Sequence, residues 1–202
     1  MTTVKIETHP FIAHLEKMVT EQNLGALANL RRGLGKPPGS VREMDPYVLR
    51  KLPSGANEAQ ENAYYLIAAL FAYWYQGTNE VQRNPPQNLG ASLYKLVKQD
   101  VDLDASNRKL EDKWKDAEKP VEKRFVALLN SHQDDLPKHL QHTISLLKSK
   151  EIPVSWSQLL GDVQNWHWED REIQRNWARG FWKNSHDTIK IGLEANNNLR
   201  EE

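Results

Sequence analysis

The sequence predicts an all-α protein of two helical domains, residues 1–105 and 106–202, the second a four-helix bundle. Three observations carry that expectation. Apolar residues recur every third or fourth position through most of the 202 residues. No stretch shows the strict alternation of a half-buried strand over a useful length. Glycine and proline cluster in a few short segments, where they end one periodic run before the next begins.

The elements follow in order. Ile12, Leu15 and Val19 form the stripe of an amphipathic helix starting after Pro10. Asn23 and Gly25 interrupt it, and Leu24, Leu27, Leu30 and Leu34 continue as a second segment. Gly33 to Ser40 reads as a turn-rich loop. Asn57 with Gln60 three residues later forms a capping box opening a helix that runs through Tyr75. That helix is apolar almost all round, which marks it as the centre of the first domain. A loop over Gly77 to Asn88 and a helix from Leu89 to about Gln99 complete this half. From Asp100 to Pro120 the chain turns charged and loses periodicity apart from Leu110 and Trp114, so a boundary or connection is expected there. Four helices then follow: Val121 to Asn130; one marked by Leu136, Leu140, Ile144 and Leu147; one opened by Ser155 and Gln158 with Trp156, Leu159, Val163 and Trp166 inward; and one marked by Ile173, Trp177 and Phe181.

Composition narrows the function classes. With no cysteine, disulfides, thiolate nucleophiles and zinc ribbons are excluded together, which fits a reducing cytoplasm. The longest apolar run, Leu66 to Tyr75, is about half of what a membrane span needs. Met1 to Thr8 carries charges and no apolar core, unlike a signal peptide. Lysine plus arginine equal aspartate plus glutamate at 27 each, which argues against autonomous tight DNA binding yet permits a local basic patch.

Two such patches stand out. Between Arg31 and Lys51 six basic residues (Arg31, Arg32, Lys36, Arg42, Arg50 and Lys51) face two acids, Glu43 and Asp45. Guanidinium groups pair with phosphate bidentately, and glycines beside them allow close approach; the plainer account is a solvated helix end. Near the C-terminus, Trp156, Trp166, Trp168, Trp177 and Trp182 are interleaved with Arg171, Arg175, Arg179 and Lys183. Such mixtures can stack bases on single strands. Core packing accounts for Trp156, Trp166 and Trp177, which leaves Trp168 and Trp182 off the stripe. Arg171, Arg175 and Arg179 recur every fourth residue and are expected to share a helix face, with Glu169, Asp170 and Glu172 at its start.

Catalytic and metal readings find little. His139 and His142 lie three apart with His132 nearby, but no carboxylate follows at a helix-site spacing. His186-Asp187 is half of a phosphohydrolase signature without the downstream aspartate. No phosphate-binding glycine loop, His-Glu-x-x-His motif or serine elbow is present. No cofactor, metal site or catalytic residue is expected.

Leu24-Gly-Ala-Leu-Ala-Asn-Leu-Arg-Arg-Gly-Leu-Gly35, Pro46-Tyr-Val-Leu49, Asn88-Leu-Gly-Ala-Ser-Leu93, Trp156-Ser-Gln-Leu-Leu160 and Trp177-Ala-Arg-Gly-Phe-Trp182, in this order over about Leu15 to Lys183, resemble the CasB small subunit of type I-E CRISPR surveillance complexes (Cascade). The resemblance implies a two-domain, all-helical, non-catalytic protein. It also implies two copies per complex, beside the backbone and large subunits, the CRISPR RNA and the target DNA, in the cytoplasm. Its role there would be to hold the guide–target hybrid and the displaced strand through a basic surface. The family's basic residue after the second helical segment maps to Arg31 or Arg32. Arg83, Lys95, Lys98 and Arg124 are further basic positions near the shared motifs. The segment from Asp100 to Pro120 is longer and more acidic than the family's pattern. A helical protein–protein adaptor without nucleic-acid contact is the competing expectation.

Overall fold

The structure, a computed structural model, describes residues 8–185 and 188. Its helices are α1 (Pro10–Thr20), α2 (Leu24–Arg31), α3 (Asp45–Val48), α4 (Glu58–Trp74), α5 (Leu89–Leu103), α6 (Leu110–Leu129), α7 (Leu136–Ser149), α8 (Trp156–Gln164) and α9 (Glu172–Ala178). Short 3-10 turns, Arg42–Met44 and Leu49–Lys51, flank α3, and a π turn, Arg179–Lys183, continues α9. No strand occurs among the described residues, so the chain is all-α. No described helix is long and apolar enough to cross a membrane.

The chain forms two compact units. The first runs to Arg83 and takes in Trp156–Asn165; the second holds the residues between and the rest. This differs from a division at residue 105 in two ways. Helix α5 belongs to the second unit, and α8, expected in a C-terminal four-helix bundle, belongs to the first. The stripe on α8 announces burial but not which apolar surface will cover it.

The first unit is organised by α4. Asn57 Oδ1 accepts from Gln60 N at 2.9 Å while Gln60 Oε1 accepts from Asn57 N at 3.0 Å, closing the capping box. Ten of the helix's residues are buried, on nearly every side, because α1, α2, α3 and α8 all pack on it. Tyr64 meets Phe11 of α1 at 4.5 Å, and Phe71 and Trp74 meet Trp156 of α8 at 5.4 and 6.0 Å. Ser157 Oγ accepts the His9 N–H at 3.0 Å, tying the entry of α1 to α8.

The second unit is organised by α5, which packs against α6, α7, α9 and the π turn. Asn88 caps α5 through Ala91 N (2.9 Å) and donates from Nδ2 to the Asn176 carbonyl (3.2 Å). Two residues later Gly90 faces the backbone of Trp177, so close that an added Cβ would lie 1.9 Å from the Trp177 carbonyl oxygen. Phe125 and Phe181 pack at 5.0 Å, as do Trp166 and Trp177. Ile173 is only half-buried, and Gln174 takes the inward place beside it, donating to the Trp166 carbonyl.

Helix α6 begins eleven residues before the expected Val121. Its first turns bury Trp114 against Tyr94 of α5, while Glu118 occupies the half-buried position below, so the apolar period is broken although the helix is not. The α5–α6 connection is short and clasped. Arg108 bridges Asp104 and Asp116, and Lys113 donates to the Asp104 carbonyl. The Ser106 hydroxyl, then its backbone N–H and Arg108, hold the Asp104 carboxyl far below the usual carboxylate range.

Two glycines test this packing. Gly90→Ala should lower stability by about 3 kcal/mol, because backbone rather than a flexible side chain blocks the new methyl. Gly161→Ala, inside α8 with nothing within 4 Å of the added Cβ, should raise it by about 0.5–1 kcal/mol. Urea unfolding midpoints measure both.

Candidate nucleic-acid interface

In the first unit the basic residues lie on and after the C-terminal turn of α2. Asn23 opens α2 by accepting from Ala26 N at 3.1 Å, and its inward residues Ala26, Leu27 and Leu30 place the helix end on α4. Beyond Arg31 the chain makes a series of tight turns, with Gly35 and Gly39 in the left-handed region that glycine alone enters cheaply. Two anchors fix this loop. Met44 is buried so closely under Gly33 that a Cβ there would lie 2.3 Å from its sulfur, and Tyr65 donates its hydroxyl to Asp45 at 2.7 Å. The Asp45 charge and burial together raise the Tyr65 pKa well above the ordinary phenol value, burial being the larger cause.

The loop therefore turns its cations outward. Arg32 is exposed and donates to Glu43 at 2.7 Å; Arg42 is 86% exposed and 3.5 Å from Asp45; Lys36, Arg50 and Lys51 are exposed. Both acids counted in this stretch thus sit beside an arginine of the same patch. A backbone N–H bond and the Arg32 guanidinium hold the Glu43 carboxyl below its usual range. At this exposure such pairs contribute little to stability, and a phosphate can displace the carboxylate. Arg31 points elsewhere. It is half-buried and lines a groove between α1, α2 and the turn after α4. Arg83, at the end of the unit, is exposed.

Sequence reasoning missed His14. It lies on α1 near Lys17 and Lys51, and burial, then the charges of Lys51 and Lys17, push its pKa below the usual imidazole value. The three-residue spacing of His14 and Lys17 was visible in the sequence; the approach of Lys51 was not.

The second unit separates residues that the sequence grouped. Arg171 is not on the α9 face. Its backbone is left-handed (φ 53°) just before the helix, and its guanidinium donates to the Leu129 carbonyl at 2.6 Å, at the end of α6. An exposed i, i+4, i+8 arginine row is therefore absent. Arg175 is exposed on α9, and Arg179 starts the π turn with Nη1 donating to Asn176 Oδ1 at 2.9 Å. Trp182 is committed to the fold, donating to Glu122 at 2.9 Å and packing on Phe125, whereas Trp168 is 46% exposed. Trp156, Trp166 and Trp177 are core residues. Lys95, Arg124 and Lys183 are exposed, and Lys98 pairs with Asp102 at 2.7 Å, which raises the lysine pKa.

His139 is half-buried and His142 exposed on α7, and no group of three metal-ligating side chains occurs among the described residues. His186 and Asp187 lie outside the described residues.

Residues 26–182 match the family model of the CRISPR-associated protein Cse2. The chain belongs to the Cse2 family. The matched region contains nearly all the segments on which the resemblance to CasB was drawn. The CRISPR-associated protein Cse2 of Thermus thermophilus is 28% identical over 158 residues, 78% of each chain. The crystal structure of M. ruber CasB is 26% identical and superposes with a TM-score of 0.70, covering 92% of this chain and 99% of that one. A chain of a CRISPR RNA-guided surveillance complex shares the fold at 24% identity and a TM-score of 0.65, over 92% of this chain and 94% of that one.

The histidines give a signed test. A folded-state imidazole that is the weaker base lets the unfolded chain take up the proton first, so stability should fall as pH drops below about 6.5. His14→Gln should flatten part of that decline, His9 supplying another part, in denaturant midpoints measured between about pH 5 and pH 8.

Proposed function

We propose that this chain is a non-catalytic small subunit of a type I-E CRISPR surveillance complex, in which it holds nucleic acid without reading its sequence. The observation that carries the proposal is the loop after α2, where Arg32, Lys36 and Arg42 stand outward on a backbone fixed by Met44 and Tyr65. Fixed cations on a rigid loop contact phosphates without the entropy cost of ordering the loop at each encounter. Family membership and the relative found in an RNA-guided surveillance complex support the same reading.

In that complex the partners would be the backbone and large subunits, the CRISPR RNA and the target DNA, with two copies of this chain, in the cytoplasm. The exchange of a DNA duplex for a guide–target hybrid is nearly balanced in free energy, so a few phosphate contacts to the hybrid and the displaced strand tip it toward the open R-loop. Zero net charge suits a subunit whose neighbours supply most of the groove. Of Arg31 and Arg32, the exposed Arg32 is the one this reading assigns to phosphate, Arg31 being half-buried. In the second unit Lys95, Lys98, Arg124, Arg175, Arg179 and Lys183 extend the candidate set; Arg171, with its guanidinium engaged at Leu129, contributes least.

A second reading, a helical adaptor without nucleic-acid contact, draws on the pairing of Glu43 and Asp45 with Arg32 and Arg42. Fluorescence anisotropy of a single-stranded oligonucleotide at low salt separates the two. Wild-type protein should bind weakly and lose affinity steeply with salt. Arg32→Ala, Lys36→Ala and Arg42→Ala combined should weaken binding and reduce the salt slope by about 2, at roughly 0.7 per lost phosphate contact, with helical content unchanged. Glu43→Gln should strengthen binding about twofold to fivefold by releasing Arg32. Unchanged binding in the triple variant would move the interface to the second unit, and no wild-type binding would favour the adaptor.

A further inference from the structure

Helix α6 joins residues that the loss of apolar periodicity separates. Because it runs unbroken over Leu110–Leu129, Lys115, Lys119 and Lys123 fall four residues apart along one face. All three are exposed. Four residues of helix rise about 6 Å, so the row from Lys115 to Lys123 spans about 12 Å in two equal steps.

The acids of the same helix leave this row uncompensated. Glu118 has its Oε1 buried, and Glu122 accepts the Trp182 Nε1–H at 2.9 Å. Asp116 is bridged by Arg108. Glu111 and Asp112 lie in the first turn, where the helix dipole favours them. Beyond Asp116 no exposed position of α6 carries an acid. None of the three lysines has a carboxylate within ion-pair distance among the described residues.

Such a row costs stability. A helix face that meets only water is best served by glutamate and lysine at four-residue spacing, whereas here lysine stands over lysine and like charges repel. An anion lying along the row would relieve that repulsion. The side-chain type selects the kind of anion. A lysine ammonium is a hydrated point charge without the planar fork that reads a carboxylate or a base edge, so the row answers to charge and spacing alone. A nucleic-acid strand offers one fixed charge per nucleotide, and each charge neutralised releases counterions.

We propose that the exposed face of α6 is a second phosphate track, on which Lys115, Lys119 and Lys123 hold consecutive phosphates of one strand. The identity of the anion rests on the proposed function, while the residues are separate from the loop after α2.

The test is fluorescence anisotropy of a short oligothymidylate with the full chain. Lys115→Gln, Lys119→Gln and Lys123→Gln combined should weaken binding about tenfold at low salt and lower the salt slope by about 2. Arginine at the same three positions should preserve binding. Removing equal charge off this face, by Lys17→Gln, Lys109→Gln and Lys138→Gln, should change affinity by less than about twofold. Lys119→Glu alone should raise the thermal midpoint, since it replaces repulsion with attraction along the row, and should still weaken binding. Full wild-type affinity in the triple α6 variant overturns the track and leaves the proposed function on the loop after α2. An equal loss in the off-face variant overturns it as well, because net charge would then suffice. Absence of wild-type binding removes the track and the proposed function together. Polyglutamate of equal charge bound more tightly than the oligonucleotide overturns the phosphate assignment and makes the row a docking strip for an acidic protein.

Discussion

The burial of Met44 under Gly33 is the contact on which the proposed interface depends. The stretch from Arg32 to Lys51 holds only single turns of helix, too short to stabilise themselves. What fixes it is tertiary: a thioether packed where any side chain at position 33 would intrude, Val48 buried nearby, and the Tyr65 hydroxyl on Asp45. An apolar anchor therefore fixes the backbone of an irregular loop whose charged groups are exposed. The two ion pairs on the surface follow from that placement and do not cause it, because exposed pairs of this kind contribute too little to hold a loop.

The second unit solves a different problem, that of bringing a helix to the backbone of another chain segment. Gly90 and Gly180 sit where α5 meets α9 and the π turn, and Asn88 serves both as a cap and as a donor to Asn176. With no side chain between them the elements approach closely, and the aromatic residues around them, Trp114, Phe125, Trp177 and Phe181, fill the space on either side. The high tryptophan content of this region is thus largely architectural. Arg171 belongs to the same category, a cation engaged by the Leu129 carbonyl at the end of α6.

What the sequence made legible follows from what local pattern can encode. The capping box at Asn57 and Gln60, the apolar surround of α4 and the inward stripe of α7 are properties of neighbouring residues, and they are found as expected. The beginning of α6 was hidden because Glu118 stands at a position where periodicity asks for an apolar residue. Leu24 fits the α2 stripe by spacing yet sits at the first turn, beyond the reach of the core. The pairing of Arg32 with Glu43 bridges eleven residues of loop, and the engagement of Arg171 with Leu129 bridges forty-two; neither has a local signature. The candidate site was therefore legible as a charge count over residues 31–51, while the direction of each cation depended on the fold. The Arg31 groove was not legible at all, since it joins α1, α2 and the turn after α4.

The membership of α8 in the first unit has a consequence for how the molecule is made. Phe71 and Trp74 have their partner in Trp156, which the ribosome adds only after the 72 residues from Asn84 to Ser155. At typical rates of synthesis that interval lasts roughly 4–14 s, long against the microseconds in which helices form and collapse. Throughout it Phe71 and Trp74 lack the Trp156 ring that they pack against in the finished fold. Completion of the fold is thereby postponed until most of the polypeptide has emerged.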